Sequence, residues 1–306
     1  MRQVKSAMKL KSKIIPRIFG GIGNQLFCYA AARRLAIKNN ADLVIDNVSG
    51  FKYDKTYKRH YQLNHFNIPC PIASYIERLE PFPRVRRFLM RSISRRRPFE
   101  ERTYIKQEGN DFDHRLLHVR PCGTVYLDGY WQSEDYFKDI QETIRSDLKI
   151  IPPVDEANRV MAANIRDCLS VAVHVRFFDA PRVHGGTALG LYYARAVALM
   201  EAQAPGAKYF LFSDQVDAAR AFLPLPSDRI ICVKHNHGDK NAYADLWLMS
   251  QSRHFIIANS TFSWWGAWLG GSMTKTVITP QVHLAGLSAW GFKGLIPGGW
   301  IQINTE

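Results

Sequence analysis

From residue 170 onward the chain keeps one rhythm. Nearly all-apolar runs, SVAVHVR, KYFLFSD, RIICV, HFIIAN and KTVITP, alternate with helix-length stretches over 189–203, 215–222, 241–251 and 262–269. A strand wet on one face would alternate apolar and polar residues. Runs this uniform are buried on both faces, which calls for a parallel sheet covered by helices on either side. In such sheets ligands sit beyond the carboxyl ends of the strands. The first half begins in a related way. KIIPRI (13–18) reads as a strand, with Pro16 marking an edge or an interruption. The turn FGGIGN follows, then a helix over QLFCYAAARRLAIKNN and a second strand, ADLVID. Residues 47–72 read as loop and GTVYLDGYWQ (123–132) as a strand. Ser133 reads as the N-cap of an amphipathic helix over SEDYFKDIQETIRSDLKI. The paired prolines of IPPVDEA (151–157) mark a linker. The expectation is an α/β protein of two domains facing a central cleft, 1–152 and 153–306, with the closing stretch free to cross back.

The residues just past the apolar runs come first. In HFIIANSTFSWWGAWLGG (254–271) a small polar cluster precedes a helix. The first N–H groups of a helix have no internal partner and lie at the positive end of its dipole. A phosphate fits such a place, so Asn259, Ser260, Thr261 and Phe262 are candidate anion-binding residues. Trp264 and Trp268 share one helix face; with Trp265 they read as core bracing the helix, and Gly270–Gly271 as its stop. His174 and Arg176, two residues apart, project to one face of a strand. The Arg176 guanidinium is a planar fork suited to phosphate oxygens, or to an internal pair with Asp179. Asp214, at the next strand tip, suits hydrogen bonds from a ribose or a base.

The turn GGIGNQ raises an alternative. Gly21 and Gly23 match the first two glycines of the G-x-G-x-x-G dinucleotide fingerprint, but Leu26 holds the third position, while Asp46 ends a strand about 20 residues on. An NAD-dependent oxidoreductase therefore stays open. Either way the glycines allow a tight turn and aim Asn24 and Gln25 into the cleft. Three clusters read as decoys for metal: DFD (111–113), HNHGD (235–239), and His114 with His118, none with the accompanying ligands a site needs.

The formal net charge of +14 favours anionic partners: nucleic acid, a membrane surface or phosphorylated small molecules. No nucleic-acid motif accompanies it. The basic stretch 84–97, with SRRRP, reads as a solvated helical face or loop, or as a surface for an acidic acceptor or lipid. Five scattered cysteines without a C-x-x-C suggest reduced thiols. The opening MRQVKSAMKLKSKIIPRIFGG has no apolar segment long enough for a signal peptide or anchor. The expectation is a soluble cytoplasmic protein, with peripheral contact to the inner membrane's cytoplasmic face admitted.

Taken together, FGGIGNQLFCYAAARRLA, LDGYWQSEDYF, VAVHVRFFD, YFLFSDQ and AYADLWLMSQSRHFIIANSTFSWWGAWL resemble, in order, the α-1,2-fucosyltransferase family, glycosyltransferase family 11. The resemblance implies a GT-B-like fold of two Rossmann-type domains and GDP-β-L-fucose as donor. It implies inverting transfer to a sugar hydroxyl, commonly the 2-OH of a galactose, with no metal or other cofactor. An oligosaccharide or lipid-linked glycan, as in lipopolysaccharide or capsule biosynthesis, is the acceptor it suggests. The family's H-x-R-R-G-D block is altered here: Phe177 and Phe178 stand for the second Arg and the Gly, while His174, Arg176 and Asp179 keep their places. The family's diphosphate-binding Arg matches Arg176. Donor contacts are then expected from Arg176, His174, Asp214, Asn259–Phe262, Gly21 and Gly23, and the base from Asp179, His174 or, as an orienting group, Asn24. The acceptor side is expected from Asn24, Gln25, Tyr130, Trp131 and Gln132. A transferase for another GDP-sugar is the nearest alternative.

Overall fold

The computed structural model describes residues 11–177, 190–281 and 290–304. Asp179 and the loop DAPRVHGG that it opens lie outside the described residues. The chain runs β1 (Lys13–Pro16), α1 (Ile22–Lys38), β2 (Asp42–Leu43), α2 (Pro83–Ser94), β3 (Tyr104–Lys106), β4 (Thr124–Asp128), α3 (Gln141–Asp147) and α4 (Glu156–Arg166). It continues with β5 (Ser170–Val175), α5 (Gly190–Gln203), β6 (Lys208–Ser213), α6 (Val216–Arg220), β7 (Ile230–Cys232) and α7 (Ala242–Ser250). Then come β8 (His254–Ile256), α8 (Thr261–Leu269), β9 (Val277–Gln281) and β10 (Ile301–Asn304).

The strands form two all-parallel sheets, ordered β2-β1-β4-β3 and β10-β9-β8-β5-β6-β7. In the second sheet the chain leaves β5 toward β6 and β7, then returns to β8 on the other side. The order therefore reverses between β5 and β8, where a ligand crevice forms in an open parallel sheet. The first sheet reverses likewise between β1 and β4. Every residue of β5 is buried, as uniform apolarity requires of a central strand.

Several readings need correction. Pro16 marks an interruption and not an edge: β1 lies between β2 and β4. Its missing N–H falls on the β2 side, where regular pairing stops at Leu43, and its carbonyl still accepts from Asp46 N at 3.1 Å. The single helix expected after Ser133 is broken into two short 3-10 turns, Glu134–Tyr136 and Lys138–Ile140, before α3. Tyr136 and Phe137 are both buried across the break. Ser133 does cap, but it caps the first short turn, accepting from Asp135 N. Gly270 does not end α8 in the left-handed conformation: its φ is −53°. It is small because Phe255 is close; a Cβ there would lie 2.5 Å from that ring.

One large core runs through both sheets' territory. It joins Phe27 of α1, Phe137, and Trp264, Trp265 and Trp268 of α8. Phe27 touches Trp264 and Trp265 at centroid distances of 4.5 and 4.9 Å, and Phe137 stacks on Trp265 at 5.6 Å. A second core fills the far face of the larger sheet, under Tyr192, Tyr193 and Met200 of α5. Toward its end the chain touches the first half again: Phe112 N donates to the Lys293 carbonyl, and Lys293 N donates to Asp111 Oδ1.

Candidate active site

At the β5/β8 reversal the strand tips come together. β5 delivers His174 and, one residue past its end, Arg176. The Arg176 guanidinium pairs with Asp214 at the tip of β6 at 2.9 Å. Asp214 also accepts from Phe177 N at 3.0 Å. The partner carboxylate of Arg176 among the described residues is thus Asp214, which fixes the fork where β5 ends.

His174 is buried, 5% exposed, its ring 5.3 Å from that of Phe262. Its Nδ1 has no hydrogen-bond partner among the described residues. Burial, reinforced by the Arg176 charge, pushes its pKa down to about 3. The imidazole is therefore neutral at physiological pH, and its nitrogens serve as a hydrogen-bonding surface rather than a ready acid or strong base.

α8 opens at the tip of β8. Ser260 is its N-cap residue, yet its hydroxyl makes no capping bond. Thr261 instead turns its hydroxyl to Asn24 Oδ1 at 3.0 Å. At the far end Lys275 Nζ donates to the carbonyls of Ala267, Trp268 and Gly270. A cation there meets the negative end of the helix.

The first half comes to the same spot. α1 starts after Gly21, again without a side-chain cap. A Cβ on Gly23 would lie 2.5 Å from the Thr261 carbonyl and 2.7 Å from Phe262 N. The two helix N-termini thus abut backbone to backbone, and only glycine fits between them. Asn24 bridges the halves, its Oδ1 accepting from Thr261 and from Gln132 Nε2 at 2.7 Å. Tyr130 stacks on Phe19 at 4.4 Å.

Arg176, His174, Asp214, Ser260, Thr261, Phe262, Gly23, Asn24 and Gln132 are thus linked by contact into one site, with Tyr130 beside it. Asn259 directly precedes the α8 cap. Gln25 does not line the cleft. It is fully buried, donating to the carbonyls of Gly20 and His60 and accepting from Gln62 N, so it pins the loop at 60–62. Trp131 is core as well, 1% exposed and edge-on to Tyr136.

Two contributors escaped the sequence reading. Arg59 reaches Gly21, its guanidinium carbon 4.0 Å from where a Cβ would stand, and pairs with Asp239 at 2.6 Å across the two halves. Gln107 accepts from both Tyr130 N and Trp131 N, holding Trp131 at a φ of +55°. Neither sits in a pattern that sequence spacing reveals. Beside the site an open groove of about 740 Å³ is lined by Asn47, Phe51, Arg59, His60, Tyr75 and Arg78, among others.

The decoys have other partners. Asp239 is held by Arg59, and Asp113 by Arg115. The dinucleotide reading fails on geometry. Asp46 is buried and consumed by Val48 N, Ser49 and Arg87, and Gly23 faces a helix rather than open space for a pyrophosphate.

Two doubly wound parallel sheets, with their reversal points joined across a cleft at paired helix N-termini, are the GT-B arrangement of a glycosyltransferase. The chain belongs to glycosyl transferase family 11, whose profile matches residues 18–293. It is 29% identical to an α-1,2-colitosyltransferase of Escherichia coli, over 96% of this chain and 99% of that one. It is 26% identical to the O-antigen biosynthesis glycosyltransferase WbnK of Escherichia coli, over 93% and 98% respectively. Among solved structures it is similar in fold to a variant of Arabidopsis thaliana FUT1 in complex with GDP, with a TM-score of 0.50 and 14% identity, over 86% of this chain and 69% of that one.

Proposed function

We propose that this glycosyltransferase moves L-fucose from GDP-β-L-fucose to a sugar hydroxyl, the 2-OH of a galactose in a glycan, by one displacement with inversion. The convergence of Arg176 with the N-termini of α8 and α1 carries the reading. As the anomeric bond breaks, the leaving diphosphate gains negative charge. In this reading the Arg176 guanidinium and the helix-end amides stabilise that charge, the kind of arrangement that lowers such barriers most. In this reading they take the part a divalent ion plays elsewhere, and transfer needs no metal. Residues 153–306 supply the donor side, with Asn259 to Phe262, His174 and Asp214 around the nucleotide sugar and Gly21 approaching from the first half; Gly23 seats α8 instead of touching the ligand. Residues 1–152 supply the acceptor side, where Asn24, oriented by Gln132 and Thr261, positions the attacking hydroxyl beside Tyr130. Asp179 is assigned as the base.

The name of the colitosyltransferase supports an α-1,2 linkage and favours a second reading, a colitosyl donor. Colitose is L-fucose without its 3-hydroxyl. A pocket that hydrogen-bonds that hydroxyl rejects the deoxy sugar by about 10⁴–10⁵, whereas an apolar pocket rejects the hydroxyl far less. WbnK's name supports an O-antigen-type acceptor, oligosaccharide or lipid-linked. All five cysteines are free, which suits a reducing cytoplasm.

The test offers GDP-fucose and GDP-colitose with a panel of galactosides, with and without EDTA, followed by linkage analysis. Fucosyl transfer to O-2 that survives EDTA is expected. Arg176→Ala should lower turnover by about 10²–10³ in a folded protein. Near-normal turnover in that variant, or complete loss on chelation, would overturn the electrostatic assignment. Exclusive use of GDP-colitose would replace the donor alone.

A further inference from the structure

α2 is turned inside out relative to an ordinary surface helix. Its docked side carries Pro83 and Ser94, both buried, and Arg87, which reaches Asp46. On the opposite side Val85, Leu89 and Ile93 recur at i, i+4 and i+8, with Phe82 and Phe88 beside them. All five are exposed, Phe82 to 73% and Phe88 to 68%. Such residues on a helix normally face the core; here the core lies behind the helix and the apolar ridge faces out. A contiguous exposed ridge of this kind marks an interaction surface.

The flanks of the ridge say what it fits. Arg84 and Arg95, the latter paired with Glu108 at 3.1 Å, lie on one side, Arg86 lies on the other, and Arg96 and Arg97 follow the helix end. All five are exposed. From 83 to 97 the segment holds seven arginines and no acid. An apolar ridge between rows of cations matches the layering of an anionic bilayer surface: acyl chains below, phosphates above. A protein partner would need its own apolar groove ringed with acids; a lipid surface presents both features everywhere. Among the described residues no helix is long and apolar enough to cross a membrane, so this contact would lie in the interface.

The position fits a membrane-borne acceptor. Arg87 ties α2 to Asp46, just beyond β2, and Arg84 lies over Tyr53 at 3.9 Å. Tyr75, Arg78 and Glu80, in the turn leading to the helix, line the groove beside the active site.

We infer that α2 is an interfacial membrane anchor that lays Val85, Leu89, Ile93 and Phe88 into an anionic lipid surface. The contact stands whichever sugar the enzyme transfers. The test is co-sedimentation of the full chain with vesicles of phosphatidylethanolamine and phosphatidylglycerol, and with vesicles of phosphatidylcholine alone. Binding to the first and little to the second is expected. The triple variant Val85→Ser, Leu89→Ser, Ile93→Ser should bind at least about tenfold more weakly. Arg84→Gln with Arg95→Gln and Arg96→Gln should lose the preference for anionic vesicles. Transfer to a soluble galactoside should be unchanged in both, which also shows that they fold. No vesicle binding by the natural chain, or undiminished binding by the serine variant, would overturn the inference. So would a dimer in sedimentation velocity that the serine variant abolishes, since the ridge would then be a contact between copies.

Discussion

At the scale of single residues, the site depends most on an atom that is missing. Gly23 lets α1 and α8 touch at 2.5 Å from its vacant Cβ position. Gly23→Ala forces the Thr261 backbone away. The cost should be about 1–3 kcal/mol of stability, the usual price of overpacking. A shift of about 1 Å at the helix starts should lower kcat/KM about 10²-fold. Urea unfolding and donor-saturation kinetics measure the two; unaltered kcat/KM would show that the contact does not set the site. The Gly21/Gly23 turn was visible in the sequence, but its purpose was not. Spacing alone reads two glycines as room for a ligand, whereas here the second makes room for another helix. Arg176 was legible because a guanidinium at a buried strand tip demands an anion. Asp214 was legible too, for a ribose or a base; its pairing with Arg176 and the cross-cleft Arg59 were not, since only the fold brings distant positions together.

At the scale of elements, the parallel sheet of the second half was the most legible part, because strands buried on both faces leave an unbroken apolar record. β3 and β10 left none: three or four residues at a sheet margin are too few to show a period. α2 reads in the sequence as either a helical face or a loop, because its apolar face points outward and its charges dominate the sequence. α4 and α7 carry a titration that sequence could not reveal. Asp245 on α7 accepts from Asn236, which also bonds Asn158 on α4. Burial raises the Asp245 pKa to about 7. The folded carboxyl then holds its proton between about pH 4 and 7 while the unfolded one has lost it, so this group costs stability as pH rises through that window. Asp245→Asn keeps an acceptor for Asn236 and removes the term. Relative to the natural chain, its stability should gain by about 1.4 kcal/mol per pH unit across that range. Urea midpoints at pH 5 and pH 7 read the difference; a constant offset would exclude it. His174 contributes with the opposite sign: its lowered pKa makes the folded state lose stability as pH falls below about 6.5.

At the scale of the whole molecule, the tryptophans of α8 are cement between halves rather than filling within one. Trp264 Nε1 donates to the Leu295 carbonyl at 2.8 Å and Trp268 Nε1 to Glu134 at 3.1 Å, while Phe27 wedges against Trp264 and Trp265 from the first half. A core continuous across both sheets should unfold as one unit. Calorimetry should show a single transition with equal calorimetric and van't Hoff enthalpies, and Phe27→Ala should lower the whole transition by about 3–5 kcal/mol. Two separable transitions in the natural chain would contradict this. The abutting helix starts also govern how the enzyme breathes. With backbone pressed on backbone at Gly23, the two helix starts can come no closer, so any closing of one half on the other has to turn about that contact, with the Arg59–Asp239 pair as a clasp on one side of the joint.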